Sequence, residues 1–147
     1  MEIDESLVLL DAHADDAEHA ITLAGQLLVQ AGRATADYLD AMVRAYHELG
    51  PYIVLAPHIA MPHARPENGA LREGIAVVRL VEPVPFGHPH NDPVSVVIPL
   101  VGVDANAHIA VLRRLSAVLM DDAAVTTILQ ADDPKTVVKL FNPLQEG

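Results

Sequence analysis

One histidine of this chain is distinguished by its flanking residues. His63 follows Pro62 and precedes Arg65 by two positions, within residues 59–66 (IAMPHARP), a stretch too short and too rich in proline to form a helix. Proline fixes its own φ and biases the preceding residue towards extended geometry, so the backbone on both sides of the imidazole is stiff. An imidazole presented in this way beside a guanidinium suits the acceptance and release of an anion such as phosphate. The alternative is a histidine that only caps or fills a turn.

A second histidine, His108, is predicted to lie near the start of a helix. Asp104 or Asn106 can cap a helix that runs to about Met120. The free N–H groups and the dipole of a helix N-terminus favour an anion and disfavour a cationic imidazole. A neutral His108 could therefore donate a hydrogen bond to a phosphoryl oxygen, or it could be an ordinary surface histidine at a helix start.

A metal site is another interpretation of the histidines. Imidazole binds zinc, copper and nickel, and five of these side chains could gather around such an ion: His58, His63, His88, His90 and His108. Their spacings match no tight ligand pattern, and an extended segment at 88–90 would point its two rings in opposite directions. We therefore expect no bound metal and keep the metal binder as an alternative.

Composition narrows the possible functions. The chain has 147 residues, no cysteine and a formal net charge of −11, which argues against nucleic acid as a partner because such binding rests on basic residues. Nucleophile-elbow, Walker-type and dinucleotide-binding glycine motifs are absent from the sequence, so we expect no organic cofactor. With no basic region before an N-terminal apolar stretch, and no run of about 18 apolar residues, we expect a cytoplasmic protein.

The elements that must position these residues follow from hydrophobic periodicity, which predicts helices, then strands, then helices. The first helix is predicted from a capping box at 15–18 to Gly32, and the second from Thr35 to Gly50. Buried strands are predicted at 52–55, 75–81 and 94–101, with a proline-rich loop at 82–93.

Three helices complete the predicted order. The first runs to about Met120 with its apolar side chains facing inward, namely Ile109, Leu112, Leu115 and Leu119. Shorter helices are predicted from Asp121 or Asp122 to about Gln130, and after Asp133. The expected fold class is α/β, a single domain over 1–147 with a mixed β-sheet flanked by helices on both faces.

Residues 59–64 (IAMPHA) resemble the active-site signature of the type 2 enzyme IIA domains of the bacterial phosphoenolpyruvate-dependent sugar phosphotransferase system, the mannitol/fructose class. That signature is aliphatic, Ala, aliphatic, Pro, His and a small residue, and every position fits. The resemblance covers most of 38–141. Four further segments are similar to the branch assigned to ascorbate: 49–57 (LGPYIVLAP), 65–69 (RPENG), 91–94 (NDPV) and 103–108 (VDANAH).

The resemblance implies a phosphotransferase component of a sugar transport system. His63 would accept a phosphoryl group from the histidine phosphocarrier protein (HPr) and pass it to an enzyme IIB domain, which serves the membrane enzyme IIC. His108 matches the second active-site histidine, which supports the phosphoryl group without carrying it. A homodimer is possible through the apolar N-terminal helix. The alternative from another class is a regulatory or binding module that kept the fold and the histidine but feeds no transporter.

Two features depart from the family's pattern. The resemblance implies an arginine upstream of the signature, and Arg44 is the candidate, at a spacing to His63 that differs from the family's. Arg65 is the alternative source of positive charge. His58 stands where a small residue, often Gly, is expected, so it could crowd the site, replace the arginine as an anion-stabilising group, or have no role.

Overall fold

A mixed β-sheet lies at the centre of the structure, a computed structural model that describes residues 3–142. Within those residues the strands are β1 (Val8–Ala12), β2 (Ile59–Ala60), β3 (Gly74–Ile75), β4 (Val77–Val84), β5 (Val94–Val97) and β6 (Leu100–Val101). Four strands form the main sheet in the order β1-β4-β5-β2, in which β4 and β5 are antiparallel and the two outer pairings are parallel. β3 and β6 form a separate antiparallel pair.

Helices cover the sheet: α1 (Ala17–Gln30), α2 (Ala36–Leu49), α3 (Ala105–Leu119), α4 (Asp122–Gln130) and α5 (Pro134–Phe141). Consecutive residues of a strand point to opposite faces, yet Val77 and Val78 of β4 are both fully buried, as are Val96 and Val97 of β5. Both faces of the central strands are therefore covered. The predicted mixed sheet flanked by helices is confirmed.

Aspartates begin four of these helices. In each case the carboxylate accepts a hydrogen bond from a backbone N–H of the first turn: Asp16 at α1, Asp104 at α3, Asp121 at α4 and Asp133 at α5. The predicted capping box had Asp15 as the N-cap, one residue too early. The observed N-cap is Asp16, whose carboxylate accepts from the His19 N–H at 2.8 Å.

The strand predictions were wrong in several places. The strand predicted at 75–81 is divided between β3 and β4, β4 continues to Val84 inside the segment predicted as a loop, and β2 was not predicted. The apolar run at 52–55 is not a strand, because Pro51–Ile53 forms a 3-10 turn closed by the Val54 N–H on the Pro51 carbonyl. The predicted strand at 94–101 is split into β5 and β6 at Pro99, which has no N–H for the ladder. Strand β1 was missed, although its alternating burial is the period of a half-buried strand.

The predicted inward face of α3 was also wrong at one position. Ile109 is 47% exposed, and the buried stripe of the helix is formed by Val111, Leu115 and Val118. These three residues follow helical spacing as well as the predicted set does, so periodicity alone could not separate the two.

Helix α2 is joined to the segment after His63 by one buried hydroxyl. Tyr38 is fully buried, and its hydroxyl donates to the Leu100 carbonyl at 2.8 Å and accepts from the Ala64 N–H at 3.1 Å. Burial raises the pKa of Tyr38 to about 12, so the hydroxyl keeps its proton. A second link is made where the Thr35 N–H donates to the Gly69 carbonyl at 2.9 Å.

Tyr38→Phe should lower the free energy of unfolding by about 1–3 kcal/mol, because the half-buried Ala64 N–H and the buried Leu100 carbonyl lose their shared partner. Urea unfolding followed by circular dichroism measures this change. An unfolding midpoint equal to that of the wild type would contradict the structural role given to this hydroxyl.

Candidate functional site

The backbone that carries His63 is held on both sides. The Met61 N–H donates to the Ile53 carbonyl at 2.8 Å, and the Leu100 N–H donates to the Pro62 carbonyl at 3.0 Å. Past the histidine, the Ala64 N–H donates to the Tyr38 hydroxyl. The segment is irregular, as its prolines predicted, and these hydrogen bonds fix it between the sheet and α2.

The imidazole of His63 is oriented by its own chain. Its Nδ1 lies 2.9 Å from the Met61 carbonyl oxygen. A carbonyl can only accept, so in the neutral ring Nδ1 carries the hydrogen and Nε2 keeps its lone pair. The side chain is half-buried and lines a cleft. Because Nε2 keeps its lone pair, this nitrogen can act as a nucleophile.

His108 lies beside this ring. It follows the N-cap of α3, with its N–H on the Asp104 carbonyl at 2.9 Å, and the centroids of the His63 and His108 rings are 5.1 Å apart. The structure therefore brings together the two histidines that the sequence singled out. Burial, and after it the neighbouring His63, lower the pKa of His108, so this ring is neutral at physiological pH.

The buried nitrogen of His108 indicates where its hydrogen lies. Within residues 3–142, Nδ1 is buried and has no hydrogen-bond partner. Burying an N–H without an acceptor is costly, so we assign the hydrogen of the neutral ring to Nε2. His108 lines the cleft and can donate this hydrogen to an anion there.

A glycine between β6 and α3 allows this approach. A Cβ on Gly102 would lie 2.5 Å from both the backbone N and the Cα of His108, closer than real Cβ atoms come. Any other residue at 102 would push the first turn of α3 away from the end of β6. A glycine between a strand and a helix cap is the sequence signal for such a close approach.

The cleft has a volume of about 840 Å³, and both candidate arginines, Arg44 and Arg65, line it. Arg44 reaches it despite its unexpected spacing, because α2 ends at Gly50 (φ +80°) and the chain turns back towards His63. Among the described residues, neither guanidinium has a hydrogen bond or a carboxylate within 4.0 Å, although Glu48 and Glu67 also line the cleft.

The structure does not bring His58 to this cleft. Its Nδ1 donates to the Pro93 carbonyl at 2.8 Å and its N–H donates to the Asn91 carbonyl at 2.8 Å. Its φ of +67° lies in the left-handed region, where glycine is favoured and histidine is tolerated better than most residues. This backbone requirement explains why a small residue is expected at 58.

A metal site would require several of the histidines to lie together. Within residues 3–142, no three His, Cys, Asp or Glu side chains are grouped closely enough to hold a metal ion. Nδ1 of His88 accepts from the N–H groups of His90 and Asn91, at 3.1 and 3.0 Å.

Across residues 3–142, the helices are all too short or too polar to cross a membrane.

Comparison with known proteins adds a family to this geometry. The family model described as phosphoenolpyruvate-dependent sugar phosphotransferase system, EIIA 2, matches residues 1–143. An ascorbate-specific PTS system EIIA component from Shigella boydii is 43% identical over 101 residues, which are 69% of this chain. The same alignment spans 66% of that relative's length, just under two thirds.

Two solved structures share the fold. The mannitol-specific cryptic phosphotransferase enzyme IIA of Escherichia coli superimposes with a TM-score of 0.82 at 30% identity, covering 97% of this chain and 95% of that one. The enzyme IIA of the Escherichia coli complex with phosphorylated enzyme IIB for mannitol gives a TM-score of 0.84 at 26% identity, covering 97% and 98% of the two chains.

His63→Ala should raise the pKa of His108 towards its ordinary value of about 6.5. The substitution removes a neighbouring titratable ring and opens the His108 side chain to solvent, and both changes ease protonation. An NMR titration of the His108 ring protons measures this shift, with His90→Ala as a control that should leave it unchanged. A His108 pKa that stays constant or falls in His63→Ala would be inconsistent with the observed ring contact.

Proposed function

Because this chain belongs to the EIIA 2 family of the phosphoenolpyruvate-dependent sugar phosphotransferase system, we propose that it is a phosphoryl-carrier enzyme IIA component and that His63 is its phosphorylated residue. One observation carries the proposal. The Met61 carbonyl engages Nδ1 of His63, which leaves Nε2 as a nucleophile in a cleft that also contains a second imidazole and two guanidinium groups with no ion-pair partner among residues 3–142.

The proposed reaction moves a phosphoryl group between nitrogens. Nε2 of neutral His63 uses its lone pair to form a bond to phosphorus as the nitrogen–phosphorus bond of the donor's phosphohistidine breaks, and the donor's imidazole keeps that electron pair. The His63 ring becomes electron-poor as its new bond forms. Its Nδ1–H, which donates to the Met61 carbonyl at 2.9 Å, stabilises that change because the bond strengthens as the ring gains positive character.

The other cleft residues act on the phosphoryl oxygens. The transition state is loose and metaphosphate-like, with charge on three equatorial oxygens, so catalysis consists of alignment and charge stabilisation. In the proposal, Nε2–H of His108 donates to one oxygen, and the guanidinium groups of Arg44 and Arg65 interact with the others. These supports are hydrogen bonds and charges, so the group can leave again towards an acceptor.

The rim of the cleft fits a carrier that meets other proteins. Three apolar residues in the cleft wall remain exposed: Leu49 at 66%, Tyr52 at 38% and Ile109 at 47%. Such a rim allows a partner to exclude water around the reacting nitrogen. We assign the donor role to the histidine phosphocarrier protein and the acceptor role to an enzyme IIB, in keeping with the IIA–IIB complex among the similar structures.

The sugar and the cellular setting belong to the same proposal. The curated relatives at 40–43% identity are named ascorbate-specific, which supports ascorbate as the sugar whose membrane enzyme IIC the relay serves. The carrier would then work in the cytoplasm, and neither a metal nor an organic cofactor takes part in the transfer.

The direct test is phosphorylation of the purified protein with phosphoenolpyruvate, enzyme I and the histidine phosphocarrier protein. The wild type should take up one acid-labile, base-stable phosphate, measured by intact-mass spectrometry, and His63→Ala should take up none. His108→Gln should still be labelled, although more slowly. Stoichiometric labelling of His63→Ala would remove the assignment of the carrier residue.

The arginine roles have a matched control on the same protein. Arg44→Gln and Arg65→Gln should each slow phosphoryl uptake by about tenfold or more, because each removes a positive charge from the developing oxygens. Arg113, an exposed arginine of α3 outside the cleft, provides the control variant Arg113→Gln, which should react at the wild-type rate. Rapid-quench measurements give these rates, and equal rates for all three variants would rule out a role specific to the cleft arginines.

A further inference from the structure

Two aromatic rings contact the imidazole of His63, and one of them, Tyr52, has so far been described only as part of the cleft rim. Tyr52 meets His63 edge to face, with ring centroids 5.9 Å apart and ring planes at 82°. The second neighbour is His108, at 5.1 Å. Tyr52 was predicted as the first residue of a strand and lies in the segment 49–57 that resembles the ascorbate branch, but neither prediction gave its side chain a role in the site.

The hydrogen bond to Met61 does not by itself fix the His63 ring. Rotation of an imidazole about its last torsion is broad and roughly two-fold, so a ring held only by one Nδ1 bond can turn over and lose it. In the turned-over ring, Nε2 no longer faces the same part of the cleft. A second contact on the ring is therefore needed to hold the orientation in which Nε2 is free.

Tyr52 is mounted rigidly enough to supply that contact. It lies in the 3-10 turn Pro51–Ile53, which Val54 closes through its N–H on the Pro51 carbonyl at 3.0 Å. The next residue, Ile53, is buried, and its carbonyl accepts from the Met61 N–H at 2.8 Å. Met61 in turn holds the His63 ring, so the tyrosine and the histidine are connected through one backbone hydrogen bond.

We infer that Tyr52 is a positioning residue, whose ring holds the imidazole of His63 in the orientation that keeps Nδ1 on the Met61 carbonyl and Nε2 towards the cleft. This inference rests on the proposed function for its kinetic consequence but not for its structural one. The aromatic ring is the active part, because no hydrogen bond of the Tyr52 hydroxyl occurs within residues 3–142. Burial raises the pKa of Tyr52, so the hydroxyl stays neutral.

Three variants separate positioning from docking, since Tyr52 is also partly exposed on the cleft rim. Tyr52→Phe keeps the ring and removes the hydroxyl. Tyr52→Leu removes the aromatic ring and keeps apolar bulk. If the leucine variant does not fold, Tyr52→Met is used in its place. Leu49→Ala removes a more exposed apolar side chain of the same rim and is the docking control.

The first measurement is the ¹⁵N NMR tautomer signature of His63 in the unphosphorylated protein near pH 8. We expect the Nδ1–H form to dominate in the wild type, in Tyr52→Phe and in Leu49→Ala, and shifts averaged between both tautomers in Tyr52→Leu. The second measurement is the rate of phosphoryl uptake against donor concentration. Tyr52→Leu should lower the saturating rate on the order of tenfold and leave the half-saturating concentration within about twofold.

The inference is overturned if Tyr52→Leu keeps both the tautomer and the saturating rate, or raises only the half-saturating concentration as Leu49→Ala should. It is also overturned if Tyr52→Phe loses as much rate as Tyr52→Leu, because the hydroxyl would then be the active group. The tautomer measurement needs no phosphoryl transfer. Failure of the carrier function, seen as labelling of His63→Ala, is therefore distinguishable from failure of this inference.

Discussion

The hydrogen bond between Nδ1 of His63 and the Met61 carbonyl is the interaction on which the proposed chemistry depends. It selects the tautomer, so it decides which nitrogen is a nucleophile and which is a donor. It exists only because the backbone at 61–64 is fixed, and proline at position 62 is one part of that. The other part consists of hydrogen bonds to Ile53, Leu100 and Tyr38, contributed by three different parts of the chain.

Helix α2 links the fold to the site at both of its ends. Its first turns contribute the buried Tyr38 hydroxyl that holds Ala64, and its last turns contribute Arg44 to the cleft wall. The left-handed Gly50 then lets the chain reverse into the turn that carries Tyr52. Gly102 lets the first turn of α3 approach the end of β6 closely, and this approach places His108 at the cleft. An ionisable cleft in a strongly acidic chain is thus assembled from segments that are far apart in sequence.

The sequence was informative where the signal is local. The segment around His63 and the glycine that ends α2 could be predicted, because each depends on a few adjacent residues. The helix starts could be predicted to within one or two residues, but the capping residue of α1 was placed at Asp15 in place of Asp16. Strand boundaries failed, since the apolar run at 52–55 fits a strand as well as a buried turn. The position of Arg44 in the cleft and the contact of Tyr52 with His63 depend on how the chain turns after α2, and one sequence holds no local signal for either.

The cleft combines a nucleophilic nitrogen, a neutral imidazole donor and two guanidinium groups, a set that suits an anionic group held for a short time. The most direct test of this account is the identity of the phosphorylated nitrogen, determined by ³¹P–¹⁵N NMR on protein labelled with ¹⁵N-histidine and phosphorylated through the phosphoenolpyruvate relay. Phosphorus should couple to Nε2 of His63, with Nδ1 still bearing its hydrogen. Phosphorus bound to Nδ1, or to another histidine, would contradict it.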